Sequence, residues 1–84
     1  MPHYHFNFTD GHRMVVDEEG QGLANKPAAR RQAIRSAADA VKHRLFGLGW
    51  EQWSVRVTDS KGGDVLTLSF LEAMTSGQRL PYSS

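Results

Sequence analysis

Hydrophobic and polar positions alternate from the start of the chain, with Tyr4, Phe6 and Phe8 interleaved among His3, His5 and Asn7. Side chains two apart share a face of a strand, so this period predicts a β-strand with one aromatic and one polar face. In "TDGHRMVV" the Asp10-Gly11 pair is a strong turn signal before a second apolar stretch, and residues 2–17 read as a hairpin. A two-residue loop would set Phe8 opposite Arg13. A three-residue loop with a bulge sets Phe8 opposite Met14 and Phe6 opposite Val16, which keeps one face apolar, and is the register expected.

Beyond "DEEGQG" the period lengthens. Asn25 predicts an N-cap, with Pro27 in the first turn, where a missing N–H costs nothing. Ala29, Ala33, Ile34, Ala37, Val41 and Leu45 recur at helical spacing and predict a helix over residues 26–46, stopped by Gly47-Leu48-Gly49. Alanine buries little area, so Ile34, Val41, Leu45 and Leu48 are expected to supply the helix's apolar contact.

Strand spacing then returns. Trp53, Val55 and Val57 alternate with Ser54, Arg56 and Thr58; past "DSKGG", Leu66, Leu68 and Phe70 alternate with Val65, Thr67 and Ser69. A short helical turn is expected at residues 71–74, then a flexible tail over residues 75–84. The fold class predicted is α+β: a two-layer ββαββ domain over residues 1–74, with a four-stranded, mainly antiparallel sheet under one helix. Strand order 2-1-3-4 makes every neighbouring pair antiparallel, and such a sheet tolerates one wet face.

At 84 residues there is room for one core, and 39% hydrophobic with 23% charged residues suits a folded, soluble chain. The absence of cysteine removes disulfides, thiolate metal sites and cysteine nucleophiles. No apolar run approaches about 18 residues and no signal segment opens the chain, so a cytoplasmic protein without membrane contact is expected. The net charge of +1 hides a partition. Residues 26–44 carry Lys26, Arg30, Arg31, Arg35, Lys42 and Arg44 against Asp39, a net of +5.

On a helix, Arg31, Arg35 and Lys42 fall within about 40° of one another, opposite the alanine stripe. Asp39 interrupts this ridge, four residues from Arg35. Such a ridge is either a solvated face or a phosphate-binding one, and near-neutral overall charge favours the first. His3 and His5, two apart on a strand face, are the only candidate metal pair; His12 lies a whole strand away, and a zinc site wants three or four converging ligands. The run Asp17-Glu18-Glu19 lacks the alternating ligand spacing of a calcium loop and reads as a charged strand end. No local signature brings a nucleophile, base and orienting acid together, so neither enzymatic activity nor a cofactor is expected.

"MPHYHFNFTDG", "DEEG", "AARRQA" and "VRVTDSKGGDVLTLSF", in that order, resemble a group of short bacterial proteins, single domains of unknown function common in rhizobia and related proteobacteria. The resemblance spans roughly residues 1–73 and carries no known activity with it. It implies a small single-domain protein. The tail and the Lys26-Pro27 helix start depart from the group's pattern, which makes the basic helix particular to this chain.

The function expected is a non-catalytic interaction or regulatory module that pairs with a second copy or with a protein partner. Small size, a thin alanine contact and an open sheet edge point that way. The alternative is a nucleic-acid-binding accessory protein using Arg31, Arg35 and Lys42.

Overall fold

The computed structural model describes residues 1–79; residues 80–84, the far end of the expected tail, lie outside the described residues. Strands β1 (His3–Thr9), β2 (Met14–Val15) and β3 (Gln21–Gly22) come first. Helix α1 (Lys26–Lys42), a 3-10 segment (Gly47–Gln52), β4 (Ser54–Asp59), β5 (Asp64–Ser69) and α2 (Phe70–Arg79) follow. The sheet runs β2-β1-β4-β5, with the two-residue β3 also on β1, and every pair is antiparallel. This is the expected α+β sheet-on-helix architecture and strand order, with one small strand more than the pattern announced.

The core forms where the alternating faces predicted it. Tyr4, Phe6, Val55, Val57, Leu68 and Phe70 are buried, and α1 lays Ala29, Ala33, Ala37 and Ala40 against them. Small side chains let the helix axis approach the sheet closely, so large side chains must fill its flanks. Phe46 does this: it stacks on Trp53 at 4.1 Å and meets the Phe8 and Phe70 rings edge-on at 5.5 and 5.6 Å. Each such aromatic contact adds about 0.5–1.5 kcal/mol beyond the area it buries.

Asn25 caps α1 as expected, its side chain accepting from the Ala28 amide at 3.0 Å. The far end differs from the expected stop at Phe46. Arg44 adopts φ 57, its amide donates to the Val41 carbonyl, and the Leu45 amide donates to that of Ala40. That pattern is a Schellman stop, with arginine where glycine is usual, and it ends the helix at Lys42. The turn swings Phe46 into the core and leaves Leu45 and Leu48 outside, 65% and 99% exposed, so neither supplies the expected helix contact.

The first hairpin also departs from its expected register. Phe8 faces Val15 and Thr9 faces Met14, across a four-residue loop at positions 10–13. The Asp10 carboxylate accepts the His12 and Arg13 amides at 2.9 and 2.7 Å, and the Thr9 hydroxyl accepts the Gly11 amide. Side-chain acceptors satisfy the loop amides that a tighter turn would have paired through the backbone. At the chain's far end, the expected turn at residues 71–74 is part of the longer α2, which reaches Arg79.

Candidate functional site

Strand β2 lies at one outer edge of the sheet. Hydrogen bonding along β1 shows which way its peptide groups turn. The Phe6 amide donates to the Asp17 carboxylate, and the Asp10 amide to the Arg13 carbonyl, both on the β2 side. By alternation Phe8 also turns toward β2, and its partner Val15 turns back toward β1. The amides and carbonyls of Met14 and Val16 therefore point away from the sheet.

Their side chains are open as well. Met14, Val15 and Val16 are 44%, 51% and 60% exposed, three consecutive apolar residues on an unpaired edge. No proline or lysine interrupts them, although such residues are the usual means of blunting an edge. Beside them, on the helix side, a groove of ≈ 370 Å³ separates the edge from α1, with Phe6, Phe8 and Val15 on one wall and Gln32 and Ser36 on the other.

What holds this edge in place is a polar clasp centred on Asp17. Its carboxylate accepts the Phe6 and Gly20 amides at 3.1 and 3.0 Å, while the Asp17 amide donates to the Asn7 side chain at 2.9 Å. Asn7, only 6% exposed, also donates to the Arg56 carbonyl at 3.1 Å and so ties β2's end to β4. Burial pushes the Asp17 carboxyl up, but the Gly20 and Phe6 amides and the nearby His5 outweigh it, leaving its pKa below the ordinary value. Asp10 is held low by the amides of Arg13 and His12.

His3 and His5 belong to the same clasp. His3 Nε2 lies 2.7 Å from the Glu19 carbonyl and His5 Nδ1 lies 2.7 Å from that of Asp17. A carbonyl only accepts, so these nitrogens are the protonated donors. The two rings meet edge-on at 5.3 Å. Among the described residues, no three His, Cys, Asp or Glu side chains are grouped to hold a metal ion. The "DEEG" run, expected as a charged strand end, is the loop these side chains fasten.

On the opposite layer, Arg31, Arg35 and Lys42 are all exposed along α1. The ion pairs among the described residues join Arg13 to Asp10 and Arg56 to Asp64, so Arg35 and Asp39 do not form the pair their spacing permits. No helix among the described residues is long and apolar enough to cross a membrane.

Asn7 and Asp17 are the site residues that sequence reasoning missed. Asn7 stood on the wet face by period, and Asp17 stood in a charge run. The one available signal was an amide and a carboxylate flanking the hairpin at positions where side chains can replace ladder bonds.

Together these features define a small sheet-on-helix domain with a backbone edge left open beside a groove. The chain belongs to the family described as Domain of unknown function (DUF6894), whose model matches residues 3–71. No curated protein and no solved structure matches it.

Proposed function

We propose that this protein is a non-catalytic interaction module that self-associates by strand addition at β2. The observation that carries this reading is the Met14–Val16 edge, where exposed apolar side chains and outward-facing peptide groups coincide. An added strand would satisfy those peptide groups and cover the side chains in one step. The test is light scattering across a concentration series. The expected mass approaches two chains as concentration rises; a mass of one chain at the highest concentration removes the reading.

A second reading uses the basic face. Arg31, Arg35 and Lys42 are exposed and take no part in the ion pairs described, which leaves them available to phosphates. Anisotropy with labelled duplex DNA and single-stranded RNA decides it. Binding that weakens steeply with salt and disappears in the triple alanine variant supports the reading. No binding at low salt ends it.

A further inference from the structure

We infer that the second copy joins in one register: an antiparallel pairing of β2 with itself, its two-fold axis passing between the two Val15 residues. This rests on the self-association read above and adds the orientation of the partner. Peptide groups of Met14 and Val16 face outward and those of Val15 inward, so a ladder forms only if even-numbered residues meet even-numbered residues. With two-fold symmetry three centres satisfy that rule: Met14, Val15 or Val16.

Chemistry separates them. Centring on Met14 sets Val16 opposite a partner His12 and Val15 opposite a partner Arg13. Centring on Val16 sets Val15 opposite a partner Asp17 and Met14 opposite a partner Glu18. Both oppose apolar side chains to charged or polar ones. Centring on Val15 sets Met14 opposite a partner Val16 and lays Val15 on its own copy. Beyond them the basic His12-Arg13 end of one copy lies toward the acidic Asp17-Glu18 end of the other. Arg13 already pairs with Asp10, and the Asp17 carboxylate with the Phe6 and Gly20 amides of its own chain, so the match is one of net charge and not of direct pairs. The segment from His12 to Glu18, with β2 at its middle, reads basic, apolar, acidic, and that order complements itself only when reversed about its middle residue.

The groove agrees with this centre. Val15 pairs with Phe8, whose ring packs against the core, so Val15 projects on the helix side of the sheet. A partner Val15 across the axis projects on that same side, next to the groove that Phe6, Phe8 and Val15 share with Gln32 and Ser36. The two copies then form one continuous sheet, with their grooves adjoining at the axis.

The chain has no cysteine, so single substitutions report the register cleanly. A non-hydrogen-bonded antiparallel pair brings Cα atoms to about 4.5 Å, within disulfide range. Val15→Cys, Met14→Cys, Val16→Cys and, on the far edge, Thr67→Cys are oxidised mildly in the full chain, at a concentration where the wild-type mass is known. The expected result is a wild-type dimer, with Val15→Cys joined several-fold faster than the other three. A wild-type dimer in which Met14→Cys or Val16→Cys joins fastest overturns the register and keeps β2 pairing. A wild-type dimer in which Thr67→Cys joins fastest, or in which none exceeds it, overturns the β2 edge itself. A wild-type monomer overturns self-association and register together.

Discussion

Along β5 the sheet ends with one outward amide already taken and a register shift at its far end, whereas along β2 it ends with peptide groups and apolar side chains open together. The Phe70 amide donates to the Trp53 carbonyl, so alternation turns Ser69 and Thr67 outward from β5. Ser69 is already taken, its amide donating to the Glu72 carboxylate at 3.3 Å. A register shift opposite Val57 and Thr58 breaks the regularity at the strand's other end. Bulges and covered amides are recognised ways of closing an edge to strangers. At β2 the strand is two residues long and the register on β1 changes between β2 and β3, but the apolar side chains stay open and the polar groups nearby serve to hold the strand down on β1. One edge is finished and the other is presented.

The largest expected effect tests how tightly that presentation is built. Gly20 has φ +70, and a Cβ there would stand 2.6 Å from the Tyr4 carbonyl oxygen and 2.7 Å from His3 Nε2. Gly62, in the turn between β4 and β5, has φ +83 but nothing within 4 Å. Gly20→Ala combines left-handed strain with a backbone clash and is expected to cost roughly 2–5 kcal/mol in urea unfolding. Gly62→Ala meets the strain alone, about 1–2 kcal/mol. Equal losses at the two positions would mean that the clasp yields freely and that β2 is not rigidly held.

Next is the clasp's carboxylate. Asp17→Asn weakens the acceptor for two amides, one of them on buried Phe6, and is expected to cost roughly 1–3 kcal/mol at neutral pH. Because the folded-state pKa of Asp17 is depressed, its contribution is complete above the unfolded value of about 3.9. It is lost as pH falls through the lower folded value. Wild type should therefore lose stability in acid more steeply than Asp17→Asn. Parallel acid profiles would place the acid sensitivity elsewhere, with Asp10 the next group to examine.

How far the sequence announces all this follows from the range of the interactions. Strands β1, β4 and β5 were legible because the period of two is local, and the apolar residues they bury are inward ones, with Asn7 the buried exception on the other face. The alanine stripe of α1 was legible for the same reason. Its end was not. Gly47 looked like the stop, yet the chain turns left-handed at Arg44, and that turn carries Phe46 onto Phe8, Trp53 and Phe70, contacts distant in sequence. The hairpin register was hidden because Asp10 and Thr9 satisfy the turn through side chains. The clasp was hidden because Asp17 bonds residues ten and eleven positions back, across a strand pair not yet placed. Basic residues 31, 35 and 42 were legible as a face; periodicity says nothing about whether a phosphate ever sits on it.

The smallest effect goes to the finished edge. Ser69 and Glu72 form a capping box: the Glu72 amide donates to the Ser69 hydroxyl at 3.0 Å while the Glu72 carboxylate accepts the Ser69 amide. The box starts α2 and, in the same bond, removes an outward donor from β5. Glu72→Ala should cost only about 0.5–1 kcal/mol, because the amide it releases is exposed and water replaces the carboxylate. Its sharper consequence is on assembly. With Ser69 freed, β5 offers two outward residues at i and i+2, as β2 does, and light scattering at high concentration should show a modest rise above the wild-type mass. Glu72→Gln, which keeps an acceptor, should show none. If Glu72→Ala stays at the wild-type mass, the capping bond is not what closes β5. The difference between the edges then lies in their side chains, exposed Thr67 against exposed Met14, Val15 and Val16.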